Sequence, residues 1–339
     1  MVVLAVSNIE NGLTDPGDMD MDRSAGPEIH AEGPTYHRPA LLFEALEQLL
    51  VRPGGVYLDA TAGEGGHSLE ILRASGPTGR VLGIDRDPRS LAAANMRLES
   101  FGDRFTSVHG NYADMVDIAR DTGLDRVDGV LLDLGLSSRH IETPGYGFSF
   151  QVDEPLDMRF DPGAPLTADE IVNSYTEGEL AQILFRYGEE PRANRVARAI
   201  VRNRPVTSTA RLARLVASTL GYGSRRRTHP ATRTFQALRI AVNEELDYLE
   251  AGLSAAVQIL RRAGRLVAIS YHSLEDRIVK NFLAREAASC ICPREVPVCV
   301  CEHQPTVRIV NRRIIRPSLE EVRSNPRSRS ARMRAAEML

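Results

Sequence analysis

The chain has 339 residues, of which 42% are hydrophobic and 26% charged, and its net charge is −3. This composition supports a packed core and argues against a membrane protein, since no apolar run approaches the ~20 residues that span a bilayer. No basic segment followed by an apolar one opens the chain, which argues against a secretory signal, so we expect a soluble cytoplasmic protein.

Charged residues are distributed unevenly along the chain. Residues 1–32 hold seven acidic side chains against one arginine, whereas residues 186–233 hold twelve arginines against two glutamates. Residues 308–334 hold nine arginines against two glutamates. Separated blocks of opposite sign predict an acidic tail and a surface that binds a polyanion. The alternative is that arginine is this organism's preferred surface cation, since Lys280 is the only lysine, but the clustering favours nucleic acid.

The order of elements predicts an α/β protein. Residues 1–33 are rich in Asp, Gly and Pro and predict a disordered acidic tail. Short apolar runs then alternate with helical stretches, with strands expected at 56–58, 81–84, 105–108, 127–132 and 266–269 and a final strand pair at 307–310 and 314–315. A long helix is expected over residues 234–262. This alternation predicts a doubly wound, Rossmann-like sheet formed by residues 34–142 and 234–316.

The alternation breaks in the middle of the chain. Residues 143–233 carry loop and helix patterns and predict an inserted helical domain, whereas residues 317–339 read as a basic C-terminal tail. Arginine suits phosphate because its planar fork binds two oxygens at once. The candidate RNA-binding residues are Arg195, Arg198, Arg202, Arg225, Arg226 and Arg227.

The segment DATAGEGGHS, residues 59–68, follows the first strand and opens a helix. Ligands of open α/β sheets bind beyond the carboxyl ends of the strands, where Asp59, Asp85 and Asp133 are expected to face one crevice. The spacing is not that of a dinucleotide loop, because Ser68 stands where the third glycine belongs. The Asp59 carboxylate would repel a pyrophosphate and attract the ammonium group of S-adenosylmethionine. A tight β–α turn with a helix-capping acid is the alternative.

Several ordered runs along the chain are more specific. They are HRP at 37–39, the 59–68 segment, GIDRD at 83–87, LDLGLSS at 132–138, GYGFSF at 145–150, PLDMR at 155–159, TFQALRI at 234–240, SYHSLEDR at 270–277 and NPRSRSA at 325–331. With these runs the chain resembles the bacterial small-subunit (16S) ribosomal RNA cytosine-N4 methyltransferase family over nearly all of residues 37–336. The resemblance implies a class I S-adenosylmethionine-dependent fold and methylation of a decoding-region cytosine. The implied partner is 16S rRNA or the small ribosomal subunit, and we expect a monomer or homodimer.

The resemblance also implies a set of cofactor contacts. In addition to Asp59, the expected residues are Gly65, Gly66, His67, Asp85, Tyr112, Asp133 and His140. His140 departs from the family, which more often has glutamine there, although an imidazole nitrogen can replace an amide. For His67 and Tyr112 the alternative is ordinary packing beside a turn.

Methylation of a cytosine amine makes particular demands, because the nitrogen lone pair is delocalised into the ring. The nitrogen must lie roughly 3–3.5 Å from the methyl carbon, in line with the sulfur. A carboxylate that accepts an N–H bond makes the amine more pyramidal, and Asp133 is the leading catalytic candidate. Ser137, Tyr271 and His272 are secondary candidates. The base must also leave its stack, which single-stranded RNA allows cheaply.

All four cysteines lie within twelve residues, in two C-x-C pairs: Cys290, Cys292, Cys299 and Cys301. A cytoplasmic location argues against structural disulfides. Four thiolates suit tetrahedral zinc, although the usual spacing within a pair is two to four residues. Zinc and reduced, packed thiols are equally favoured by the sequence, and a redox pair is a third alternative.

Three other functions are compatible with parts of the sequence. A DNA amino-methyltransferase is disfavoured because the run after the fourth strand, 132–138, lacks a Pro-Pro-aromatic motif. A non-catalytic RNA-binding assembly factor predicts weak cofactor binding. A dinucleotide oxidoreductase is disfavoured by the spacing of the 59–68 segment.

Overall fold

A mixed β-sheet forms the centre of this computed structural model, which describes residues 38–221, 229–293 and 298–339. Within those residues the strands are β1 (Val56–Asp59), β2 (Arg80–Asp85), β3 (Phe105–His109), β4 (Val127–Asp133), β5 (Leu260–Ser270), β6 (Val307–Ile309) and β7 (Arg332–Met338). Their order across the sheet is β3-β2-β1-β4-β5-β7-β6. Strands β1 to β5 are parallel, whereas β7 runs antiparallel to both β5 and β6. The predicted doubly wound sheet is confirmed.

Helices cover both faces of the sheet and form the insertion. The described helices are α1 (Leu42–Leu49), α2 (Gly66–Ala74), α3 (Pro88–Leu98), α4 (Met115–Asp121), α5 (Ser138–Glu142), α6 (Ala168–Ser174), α7 (Glu177–Arg186), α8 (Ala193–Arg202), α9 (Thr209–Leu220), α10 (Thr232–Asn243), α11 (Glu245–Ile259), α12 (Ser273–Glu286) and α13 (Leu319–Ser324). Short 3₁₀ helices lie at Glu99–Arg104, Tyr112–Asp114 and Pro326–Ser330. No described helix is long and apolar enough to cross a membrane.

Successive side chains of β4 point to opposite faces of the sheet, as the strand period of two requires. Val130 packs in a core with helices α4, α11 and α12, whereas Leu131 packs in a second core with α1 and α2. Because both faces are covered, the strand is buried almost throughout. The sheet therefore holds the loops at its carboxyl edge on a rigid platform.

The insertion after β4 has a core of its own. Apolar residues of α6 to α9 pack together, and α10 contributes Phe235 and Leu238 to the same cluster. The sequence predicts one long helix over residues 234–262, but Glu244 adopts a left-handed conformation with φ 50° and separates α10 from α11. As a result α10 packs on the insertion, whereas Leu253 of α11 packs on the sheet.

Residues 317–339 were predicted to form a basic tail, and this prediction is wrong because they fold into helices and a strand. The last of these residues form β7, which inserts between β5 and β6. Met333, Ala335 and Ala336 are fully buried in the two sheet cores. The intervening Arg334 is paired with Asp276 of α12 at 2.7 Å. The predicted acidic tail, 1–33, lies outside the described residues.

Candidate active site

A cavity of about 560 Å³ opens beyond the carboxyl ends of β1, β2 and β4. Strand order reverses between β1 and β4, and this switch point is where open α/β sheets bind ligands. Asp85 and Asp133, which end β2 and β4, both line the cavity. Other predicted site residues on its wall are Gly66, His67, Tyr112, Ser137, His140 and Tyr271.

Asp85 is held by the glycine-containing loop that follows β1. Its Oδ2 accepts the Gly63 N–H at 2.7 Å and its Oδ1 accepts the Asp87 N–H at 2.8 Å. Burial raises the pKa of Asp85, and these backbone donors partly oppose that rise. Each carboxylate oxygen has a second lone pair, so both can still accept hydroxyl hydrogen bonds from a ligand.

Asp133 is positioned by contacts on three sides. Its Oδ1 accepts the Tyr271 hydroxyl at 2.9 Å, and its Oδ2 lies 3.3 Å from His67 Nε2. Its backbone N–H donates to Thr61 Oγ1 at 2.7 Å. Burial raises the pKa of Tyr271 well above its usual value, so the phenol stays protonated and donates. The Asp133 carboxylate is therefore fixed in direction on the cavity wall.

His67 is buried, and neither of its ring nitrogens makes a hydrogen bond of good geometry to the protein. Because an unsatisfied buried polar group is costly, such an atom on a cavity wall indicates room for a polar ligand. Tyr112, in contrast, packs its ring on α11. A methyl group added at Gly252 would lie 2.4 Å from the Tyr112 ring, so the glycine allows this close approach.

Asp59 does not line the cavity, and the prediction that three carboxylates face one crevice is wrong for this residue. In the strand register Asp59 lies beside Gly83 of β2 and Leu131 of β4. Asp85 and Asp133 thus lie two residues further towards the carboxyl edge. The Asp59 carboxylate is buried behind the loop, where Ser68 Oγ donates to it at 2.7 Å. Asp59 therefore shapes the loop.

Gly65 is also structural. It precedes α2 with φ 75°, and a methyl group there would lie 2.9 Å from Leu98 Cδ1. Its N–H donates to the Ala62 carbonyl, so the predicted amide contact with a ligand is wrong for Gly65. Gly66, in contrast, lines the cavity. Sequence reasoning missed Gly63, whose φ of 52° allows the turn that brings its N–H to Asp85.

Both ring nitrogens of His140 make contacts within the protein, so the predicted polar contact of His140 with the cofactor is wrong. Its Nδ1 accepts the Ser137 N–H at 3.2 Å, and its Nε2 lies 3.2 Å from Asp87 Oδ2. The Ser137 hydroxyl in turn caps α5 by accepting the His140 N–H. These contacts make Ser137 and His140 a structural corner on the cavity wall.

The Asp87 carboxylate connects β2 to the start of the insertion. Tyr146 and Ser90 donate to its Oδ2 at 2.6 and 2.9 Å, in addition to His140. Burial acts to raise its pKa, but the hydrogen bonds from His140, Tyr146 and Ser90 outweigh burial and hold the pKa well below its usual range. Asp87 is thus ionised and strongly bound in the folded chain.

Replacing Tyr146 with phenylalanine is expected to lower the free energy of unfolding by about 1.5–3 kcal/mol near neutral pH, because a hydrogen bond to a buried charge is lost. The pKa of Asp87 is lower in the folded chain than its value of about 3.9 in the unfolded chain, so ionised Asp87 stabilises the fold above that pH. This contribution is lost as the pH falls through the pKa of Asp87 in the folded chain. The difference between wild type and variant in urea unfolding should therefore stay constant above about pH 4 and shrink only as the pH falls below that value, towards the folded pKa of Asp87. Tyr248→Phe, which removes a bond to exposed Glu244, is the control and should show a smaller, pH-insensitive change.

His272 does not line the cavity. It begins α12 in a reciprocal cap, in which its ring accepts the Glu275 N–H and Glu275 accepts the His272 N–H. Burial acts to raise the pKa of Glu275, but its attraction to His272, its hydrogen bond with His272 and its attraction to Arg239 outweigh burial and lower that pKa. The prediction of His272 as a catalytic residue is therefore replaced by a role in capping.

A buried ion-pair cluster on the cavity wall was missed by sequence reasoning. Arg239 binds Glu245 through two hydrogen bonds of 2.8 Å and lies 4.0 Å from Glu275. All three residues line the cavity. The available signal was that Arg239 lies in the run at 234–240 and Glu275 in the run at 270–277.

The start of the described chain meets the segment before β7 at the cavity. Arg38 and Pro39 line it from one side, and Asn325 and Arg327 from the other. Asn325 Nδ2 donates to the Arg38 carbonyl at 3.0 Å. This contact explains why residues 38–39 and 325–327, far apart in sequence, belong to one site.

The predicted RNA-binding arginines lie on the insertion. Arg195, Arg198 and Arg202 are exposed on α8, opposite buried residues of the same helix. Arg198 pairs with Glu177 at 3.1 Å. Arg225, Arg226 and Arg227 lie outside the described residues. The four cysteines do not line the cavity.

A model of the MraW methylase family matches residues 34–339. The chain belongs to the MraW methylase family. It is 53% identical to ribosomal RNA small subunit methyltransferase H of Thermomicrobium roseum, over 90% of this chain and 94% of that protein. The proteins of the same name in Dehalococcoides mccartyi and Carboxydothermus hydrogenoformans are 52% and 50% identical, over 89% of this chain and 86% and 98% of their own lengths. Family membership and strand order together confirm the predicted Rossmann-like class I methyltransferase fold.

Proposed function

We propose that the chain transfers a methyl group from S-adenosylmethionine to the exocyclic N4 of a cytosine in small-subunit ribosomal RNA. The observation that carries the proposal is the Asp133 carboxylate, fixed on the wall of the switch-point cavity by Tyr271. The names of the relatives support the RNA substrate. The motif resemblance supports the N4 atom and a position in the decoding region.

The residues present fit S-adenosylmethionine. Asp85 would accept hydrogen bonds from the ribose hydroxyls, because each of its oxygens keeps a free lone pair. Gly66, at the start of α2, lines the cavity where a helix N-terminus favours the methionine carboxylate. Tyr112 would lie against the adenine, and His67 offers an unsatisfied ring nitrogen. When bound, the sulfonium supplies an electrophilic methyl group.

Asp133 would act on the amine of the target base. By accepting one N–H of the amine, its carboxylate favours a pyramidal nitrogen whose lone pair is available. The Tyr271 hydroxyl occupies one lone pair of Oδ1 and holds the carboxylate in place, so little reorganisation is needed when the base arrives. The cavity volume of about 560 Å³ lies within the usual range for ligand pockets.

The target cytosine must leave its stack to reach Asp133, which an RNA loop or single strand permits. The arginine-rich insertion would bind the flanking phosphates. Exposed Arg195 and Arg202 lie one heptad apart on α8, and the hydrophobic face beneath them is anchored in the insertion core. Phosphate contacts of this kind supply affinity and leave sequence choice to the cavity.

Methyl transfer from labelled S-adenosylmethionine to small-subunit RNA, assembled small subunits and duplex DNA tests the proposal. We expect label in ribosomal RNA and none in DNA, with N4-methylcytidine as the labelled nucleoside. Label confined to DNA would support an amino-methyltransferase of another class. Cofactor binding with no transfer to any of the three substrates would support a non-catalytic assembly factor.

Charge reversal at Arg195 and Arg202 is expected to weaken RNA binding without changing cofactor affinity. Each lost phosphate contact should reduce the slope of log K against log salt by about 0.7–0.9. Arg80→Glu, at the amino end of β2 and therefore at the opposite edge of the sheet, is the charge-matched control for each single reversal. Equal losses in the control and in the α8 variant would show that net charge, and not this face, governs binding.

A further inference from the structure

The four cysteines lie between α12 and β6, in residues 287–306, a segment called the excursion. The base of the excursion is closed by the Thr306 N–H, which donates to the Glu286 carbonyl at 2.8 Å. His303 Nε2 adds a contact of 3.0 Å to the Arg285 carbonyl. Above this base, all four sulfur atoms lie within 4.8 Å of one another. The fold therefore gathers two C-x-C pairs into one cluster.

The spacing of the sulfur atoms matches a single tetrahedral ion. Zinc–thiolate bonds of about 2.3 Å place neighbouring sulfurs about 3.8 Å apart at the corners of a tetrahedron. The Cys299–Cys301 distance is 3.6 Å and the Cys290–Cys301 distance is 3.9 Å. A disulfide requires about 2.05 Å, so these two contacts are not disulfides.

Backbone N–H groups point at the sulfur atoms. Ile291 N–H donates to Cys301, Cys292 N–H to Cys290, and Val300 N–H to Cys292, each at 3.4 Å. Donors of this kind stabilise thiolate over thiol and orient metal ligands from outside the coordination sphere. The narrow C-x-C spacing is thus accommodated by a loop that folds back on its own sulfurs.

Hydrophobic burial does not explain why the excursion folds. Among its described residues the large apolar side chains, Ile291, Val298 and Val300, are 47%, 71% and 74% exposed. A segment without a core needs a disulfide or a metal to hold one conformation. All four cysteines are free of disulfides, which leaves a metal as the organising element.

We propose that Cys290, Cys292, Cys299 and Cys301 bind one structural zinc ion. With four thiolates the tetrahedron is complete, which leaves no position for water or substrate and assigns the ion a structural role. The zinc fixes the excursion between α12 and β6. The site is separate from the cavity, so it is not needed to form the methyl-transfer pocket.

The zinc content of the full chain, purified under reducing conditions without a metal-affinity step, tests this proposal. Elemental analysis should give about one zinc per chain, and blocking the thiols should release it. Replacement by cobalt should produce the visible absorption of a tetrahedral thiolate site. A double variant with Cys290→Ser and Cys301→Ser should lose the ion but retain cofactor affinity, whereas Ser289→Ala, beside the cluster, should keep both.

Two results would overturn the assignment. One is wild-type protein that holds less than about 0.1 zinc per chain after reconstitution with zinc under anaerobic, reducing conditions. The other is stoichiometric iron in place of zinc. Both measurements use the wild-type chain, so they are decisive even where the cysteine variants fold poorly, and neither depends on methyl transfer.

Discussion

An Asp133→Asn variant is expected to lose methyl transfer by about 10²- to 10³-fold in kcat, the usual effect of removing one preorganised electrostatic contact. Asparagine preserves the shape of the side chain and can still accept the Tyr271 hydroxyl. It removes the negative charge that would hold the cytosine amine. Single-turnover transfer to small-subunit RNA, with saturating cofactor, measures this step. RNA affinity should stay near the wild-type value because the phosphate-binding face is untouched.

Tyr271→Phe is expected to lower kcat less than Asp133→Asn does. It removes the 2.9 Å hydrogen bond to Asp133 but leaves the carboxylate charged, so we expect a smaller loss of kcat. Asp103→Asn, at an exposed position in the 3₁₀ helix before β3, removes a charge far from the amine and should leave kcat unchanged. If Asp133→Asn keeps kcat within about twofold of wild type, this residue does not contact the reacting amine.

An Asp85→Ala variant is expected to weaken S-adenosylmethionine binding by about 10- to 100-fold, since hydrogen bonds to a charged group contribute roughly 1.5–3 kcal/mol. The substitution also leaves the N–H groups of Gly63 and Asp87 without their acceptor. Asp85→Asn, which retains one acceptor oxygen, should show a smaller loss. Calorimetric titration with S-adenosylmethionine measures the affinity directly.

The informative control for Asp85→Ala is RNA binding by the same protein. We expect RNA affinity to change little, because Asp85 lies inside the cavity and not on the arginine-rich face. A parallel loss of cofactor and RNA affinity, in a variant of unchanged melting temperature, would mean that the two surfaces are not separate. The division into a cofactor cavity and an RNA face would then be wrong.

The central sheet was predictable because burial on both faces imposes short apolar runs such as residues 130–132 of β4. The positions of Asp85 and Asp133 followed from the same rule, since the carboxyl ends of parallel strands meet at one edge. Asp59 ends its strand too, but its depth depends on register, which sets it two residues behind the others. Composition carries no information on register.

Other features depended on contacts that are distant in sequence. The sequence of β7 is typical of a basic tail. In the structure Arg334 pairs with Asp276, and the apolar neighbours of Arg334 are buried in the sheet cores. The break at Glu244 has no glycine or proline to signal it. Arg239 and Glu245 face the cavity because this break redirects the chain between α10 and α11. Their place in the site could be found only from the folded chain.

Nucleoside mass spectrometry of 16S rRNA tests the central claim most directly. It requires a strain that lacks this gene, complemented with either the wild-type chain or Asp133→Asn. The account predicts that N4-methylcytidine at one decoding-region position is lost on deletion, restored by wild type and not restored by the variant. Retention of that nucleoside in the deletion strain, or loss of a methyl group from a different atom or RNA, would contradict the proposed activity.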